Sequence, residues 1–155
     1  MIHSILRGCA AGAAGTTALN ATTFGDMALR GRSASDVPAE AADRLTEDVG
    51  LHVGGTGEQR SNRLSALGAL SGIGVGVATG VVVSVAHRAG ARVPWWVGSL
   101  VTGVLAMAAT DVSMTRLGVT DPRTWSPTDW VSDLVPHLIF GAVTYGVVVA
   151  GDGRP

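Results

Sequence analysis

Residues 64–87 carry no side chain charged at neutral pH, and glycine recurs along them at a spacing of four: Gly68, Gly72, Gly76 and Gly80. A helix of this length, at about 1.5 Å per residue, is about 36 Å long and crosses a hydrocarbon core of about 30 Å with some tilt. Glycines at that spacing leave a groove along one helix face. In lipid there is no hydrophobic drive between helices, so close backbone approach over small residues is a main source of association. A water-exposed helix would instead lose about 1 kcal/mol per glycine relative to alanine. The pattern therefore predicts a membrane helix packed closely on a neighbour.

Three further apolar segments follow the same logic. Residues 94–115 alternate Val97, Leu100, Val101, Val104 and Leu105 with glycine, serine and threonine. Residues 130–150 are apolar except for Ser132, Asp133, His137, Thr144 and Tyr145. Residues 5–29 form the weakest candidate, rich in alanine and glycine, which contribute little to insertion; the Gly8/Gly12 pair nevertheless repeats the groove spacing. The expected architecture is an all-α, four-helix transmembrane bundle in a single membrane domain over residues 1–155, with an extramembrane loop at 30–63. Within that loop Pro38 suits the first turn of a short interfacial helix, with Val37, Ala41, Leu45 and Val49 on one face.

Four spans place both chain ends and the turn at 88–93 on one side, termed Y, and the loops 30–63 and 116–129 on the other, termed X. Trp95 and Trp96 fall at the Y end of their helix, and Trp125 and Trp130 at the X end of theirs, as interfacial aromatic belts do. Side X carries Arg30, Arg32, Arg44, Arg60, Arg63, Arg116 and Arg123, and side Y carries Arg7, Arg88, Arg92 and Arg154. The excess places the long loops in the cytoplasm of a multi-pass protein of the inner (plasma) membrane.

Composition narrows the function classes. Only 15% of the 155 residues are charged, and the net charge is −1, which gives no basis for nucleic-acid binding. The single cysteine, Cys9, excludes an internal disulfide. No apolar stretch precedes Leu6-Arg7-Gly8-Cys9, so neither lipidation nor a cleaved leader is expected. Gly54-Gly55-Thr56-Gly57 lacks the Gly-Lys-Ser/Thr ending of a phosphate-binding loop and reads as a linker. There is no nucleophile elbow, no Cys-His pair and no metal-ligand spacing, and His87 and His137 lie too far apart along the membrane normal to share a haem. Neither an enzyme nor a cofactor is expected.

The chemistry that remains is a polar cluster in the X half. Asp26, Asp111 and Asp133 fall near the X ends of their helices, His137 lies about 10 Å in from Trp130, and Asn20 is deeper than Asp26 by about 9 Å. Asp133 and His137, at i and i+4, share a helix face. Ionisable groups at membrane depth are costly and invite a functional hypothesis, here proton transfer in a small transporter. The competing reading is structural: carboxylates paired with rim arginines, as Asp26 with Arg30, that fasten helix ends.

The stretch Ala21–Met27, followed by Arg30, Gly31 and Asp36-Val37-Pro38, echoes Ala108–Val112, followed by Arg116, Gly118 and Asp121-Pro122. The echo is either coincidence or a repeat of two parallel helical hairpins. Ala109-Thr110-Asp111-Val112 and its continuation through Gly146 resemble a segment of small four-helix membrane proteins from high-GC bacteria and, more loosely, the YagU-like inner-membrane family. The resemblance implies a helical integral membrane protein; loop 30–63 departs from it, and no site residue is carried over. The leading expectation is a non-enzymatic accessory or scaffold subunit that packs with itself or with a larger membrane complex. The alternative is a small proton-linked transporter or channel using Asp26, Asn20, Asp111, Asp133 and His137. The partners implied are the bilayer and a membrane protein.

Overall fold

A computed structural model describes residues 1–151 as five α-helices: α1 (Ile2–Arg30), α2 (Val37–Asp48), α3 (Gly57–Arg88), α4 (Trp95–Arg116) and α5 (Pro127–Ala150). A single 3₁₀ turn, Pro122–Thr124, interrupts the last loop, and there is no strand among the described residues. Arg154, counted above on side Y, lies outside them. By length and composition α3, α4 and α5 can each cross a membrane. The 29-residue α1 is long enough but falls outside that group, because alanine, glycine and threonine dilute its hydropathy.

Local sequence accounts for the helix ends. Gly31 ends α1 in the left-handed region at φ 64°, and its N–H returns to the Met27 carbonyl. Ser126 and Asp129 form a capping box ahead of Pro127, starting α5 three residues before the apolar run at Trp130. The start of α3 lies at Gly57, two turns before the charge-free stretch, with Glu58 in its first turn favouring the positive end of the helix dipole.

The helices pack in the order α3, α1, α5, α4, with α1 and α5 central and α3 touching α4 and α5 only lightly. Small residues set that order. A Cβ on Gly8 would lie 2.5 Å from the Val81 Cα, and one on Gly80 would lie 2.5 Å from the Gly12 nitrogen, so α1 and α3 cross backbone to backbone. In the same way, a Cβ on Gly141 would lie 2.5 Å from the Gly103 nitrogen where α5 crosses α4. Gly15 of α1 lies against Phe140 and Thr144 of α5. Phe140, Val148 and Thr144 are fully buried around that central contact.

The glycine stripe of α3 does not serve one neighbour. Gly76 and Gly80 face α1, whereas Gly68 meets the Pro38 backbone of α2. Gly72, expected to pack with the others, has nothing within 4 Å, and neither has Gly74. Each four-residue step advances about 40° beyond a full turn, which carries a straight row of glycines past more than one neighbour. A similar shift appears in α2. It buries Ala41 and Ala42, while Leu45 (49% exposed) and Val49 (68%), which share a face with Ala41 by spacing, point outward. Arg60 of α3 ties α2 down through Asp43 at 2.6 Å.

Candidate functional site

Asp111, Asp133 and His137 come together where the C-terminal part of α4 passes the N-terminal part of α5. The close crossing at Gly103 and Gly141 makes this possible, because it brings the two backbones into contact one turn beyond His137. Asp133 and Asp111 approach within hydrogen-bonding reach, carboxyl to carboxyl, and His137 lies near both. Two ionised carboxylates so placed repel each other, and a proton between them removes the repulsion. One oxygen of the pair, Asp133 Oδ2, is buried with no hydrogen-bond partner among the described residues.

The imidazole is oriented differently from the simple i, i+4 expectation. His137 Nδ1 lies 2.8 Å from the Asp133 backbone carbonyl and 3.5 Å from the Asp133 carboxylate oxygen Oδ1. A carbonyl only accepts, so Nδ1 carries the proton and donates it to the backbone. Pro136 sits immediately before this histidine, inside α5. Its ring nitrogen has no proton to give to the carbonyl of Ser132, one turn earlier, so α5 loses one backbone bond beside the cluster. Proline inside a predicted span was the available signal for this local departure, and the sequence reading made no use of it.

Asp26 does not join the cluster. Its carboxylate is taken by Arg32 at 2.6 Å and Arg30 at 3.5 Å. Arg30 in turn donates to the Ser132 hydroxyl at 2.9 Å, linking the X end of α1 to the first turns of α5. Asn20 is half-buried on α1 and has no hydrogen bond to the three clustered residues. Arg63 donates to the Gly54 carbonyl at 2.6 Å and pins the loop before α3. Among the described residues no three His, Cys, Asp or Glu side chains converge as a metal site.

Two polar hollows lie elsewhere. One, of about 440 Å³, is an open groove between the N-terminal turns of α2 and α3, lined in part by Asp36, Glu40, Asp43 and Arg60. The other lies at the opposite end of the bundle, beside a network that the sequence reading missed. There the Tyr145 hydroxyl donates to the Val93 carbonyl at 3.1 Å and stands 3.5 Å from His87 Nδ1. Neither hollow reaches Asp111, Asp133 or His137. No protein-family model, curated protein or solved structure matches the chain.

Proposed function

We propose that this chain is a non-enzymatic subunit of the inner membrane, a four-span bundle in which α1 completes the set formed by α3, α4 and α5. It acts as a scaffold or accessory component that packs against another membrane helix. The observation that carries this reading is the unpacked surface of α3. Gly72 and Gly74 meet nothing within 4 Å, and Leu70 and Ile73 beside them are exposed. Glycine weakens a helix relative to alanine, and the other glycines of the stripe are explained by what presses against them, backbone at Gly68 and Gly80 and the Thr16 and Phe140 side chains at Gly76. Residues two apart in sequence lie about 200° apart around a helix, so Gly72 and Gly74 point to different sides of α3, and a helix approaching each side supplies that reason. The resemblance to small four-helix and YagU-like membrane proteins, and a repeat pairing α1 with α4, are proposed along with it.

Isoleucine at both outward positions, Gly72→Ile with Gly74→Ile, tests it. The reading expects the protein to accumulate and fold normally, because no neighbour is displaced, while its co-extracted companion is lost. A companion retained in full by that variant overturns it.

A second reading has its own support. Asp111, Asp133 and His137 form an incompletely satisfied group at membrane depth, the arrangement expected of a proton-carrying path. Proteoliposome flux that disappears in Asp133→Asn and His137→Ala at unchanged expression would favour the transporter. Loss of folded protein without any wild-type flux would favour the scaffold.

A further inference from the structure

The contacts between α2 and α3 set the direction of α2. Pro38, at its start, lies against Gly68 of α3, and Asp43, further on, pairs with Arg60 at 2.6 Å. α2 therefore runs back along α3 in the opposite sense, away from the charge-free stretch that begins at Leu64. At about 1.5 Å per residue, Arg60 lies about 6 Å outside Leu64, and Val49 lies about 9 Å further along α2 than Asp43. The headgroup layer on each side of the hydrocarbon core is about 5–8 Å thick. The far end of α2 thus stands in water on side X. It also passes Gly57, where α3 begins, and has no α3 left beside it.

That end is apolar and held in place. Pro38, Ala42, Leu45 and Val49 follow one another at i, i+4, i+7 and i+11, along one side of the helix. Ala42, alongside α3, is buried, whereas Leu45 and Val49, further out, are exposed. Gly50 closes the helix in the left-handed region at φ 73°. Its N–H returns to the Glu47 carbonyl at 2.9 Å, and the Leu51 N–H returns to the Thr46 carbonyl at 2.8 Å. These two bonds form a glycine cap, which folds the residue after the glycine back toward the last turn. Leu51, also exposed, is thereby fixed at the same end as Leu45 and Val49. Apolar groups already ordered lose little entropy when a partner covers them.

Lipid is out of reach at that height, and charge decides between the other occupants. Residues 36–63 carry six carboxylates against three arginines. Two of those arginines are engaged, Arg60 by Asp43 and Arg63 by the Gly54 carbonyl. A second copy would bring the same negative field against itself, whereas a basic surface is attracted by it. We propose that the tip formed by Leu45, Val49 and Leu51 docks a basic amphipathic helix of a partner protein on side X. The apolar side of that helix covers the tip, and its Lys or Arg residues meet the carboxylates of Glu47 and Asp48 in the same last turns of α2. The proposal rests on α3 crossing the membrane and not on the unpacked glycines of α3.

The test uses the full chain in phosphatidylcholine nanodiscs, with empty discs as the blank. A labelled helical peptide with one leucine face and one lysine face is titrated by fluorescence anisotropy, beside a twin with glutamate in place of lysine. The lysine peptide is expected to bind, and the glutamate twin at least about tenfold more weakly. Leu45→Ser is expected to weaken binding of the lysine peptide about tenfold, and Glu47→Gln with Asp48→Asn about fivefold. Gly72→Ile with Gly74→Ile leaves it unchanged, so failure of the subunit reading and failure of this one are told apart. A fluorophore on Val49→Cys, in a Cys9→Ser background, is expected to be quenched by aqueous iodide and not by spin-labelled lipid. Quenching by the lipid overturns the proposal in favour of a membrane-covered tip. A dimer that Leu45→Ser dissociates overturns it in favour of a second copy. Failure of the lysine peptide to bind, equal binding of the two peptides, or undiminished binding in a folded Leu45→Ser protein also overturns it.

Discussion

Gly103 of α4 lies directly beneath the backbone of His137 in α5: a Cβ added to it would stand 2.6 Å from the His137 carbonyl oxygen. Backbone cannot swing aside as a side chain can, so even alanine forces the two helices apart. Gly103→Ala is expected to destabilise the bundle by about 1–3 kcal/mol. Gly72→Ala, with open space around it, is expected to be neutral or to gain up to about 1 kcal/mol from helix propensity. Reversible unfolding of the two variants in mixed micelles separates them. Equal losses would mean that the α4–α5 crossing is not set by Gly103.

The two kinds of helix-end aspartate should respond differently to the same conservative change. Asp26 is held by two partly exposed arginines, and exposed pairs are worth about 1 kcal/mol or less; Asp26→Asn is expected to cost no more than that. Asp111→Asn supplies an amide N–H to the carboxyl it faces and removes one of two like charges, so folded yield is expected to hold or rise. A large loss of folded protein in Asp111→Asn would show that its carboxylate is itself a structural charge.

The sequence made α3, α4 and α5 legible because long charge-free runs leave few alternatives to burial or lipid. It was less informative at their ends. Gly57–Arg63 is polar and helical, and an apolar-run criterion stops short of it; Ser126 and Asp129, by contrast, are a readable start signal that the criterion passes over. The candidate site was half legible. Asp133 and His137 share a face by spacing alone, and Asp111 joins them only through the Gly103 crossing, a tertiary fact. Asp26 looked equivalent to Asp111 in depth, yet Arg32, six residues further on beyond the Gly31 turn, reaches back and claims it. The hollow beside the Tyr145 network was missed because Arg7 and Arg88, which line it, were read as counts on one side of a membrane, although α1 and α3 are neighbours.

The number of spans sets the positions of the chain ends. In a Cys9→Ser background, single cysteines at His3 and Gly90 should react with a membrane-impermeant maleimide from one side, and cysteines at His52 and Thr120 from the other. With only α3, α4 and α5 across the membrane, the cysteine at position 3 would instead react together with that at position 52.

The loop between α4 and α5 carries a pH signature outside the membrane. The Arg123 side chain grips the Asp121 carboxylate in a two-point contact, at 2.9 Å to each oxygen, and the Arg123 backbone N–H adds a bond at 3.0 Å. The guanidinium first, and the backbone N–H second, hold this carboxyl below its ordinary value. Because the folded value is the lower one, the turn's stabilisation is complete above the ordinary aspartate pKa of about 4 and is lost as pH falls through the depressed value. A carboxyl-carbon NMR titration should place Asp121 below a free aspartate, and Arg123→Gln should move it upward. An unchanged midpoint in that variant would dissociate the shift from Arg123.

Association through the unpacked glycines of α3 is tested most directly by native mass spectrometry of the untreated protein, extracted in mild detergent from its own host membrane. A fixed-stoichiometry assembly, with a different subunit or a second copy, that disappears when Gly72 and Gly74 are both isoleucine is the predicted result. A lone chain under conditions gentle enough to retain bound lipid would contradict the account.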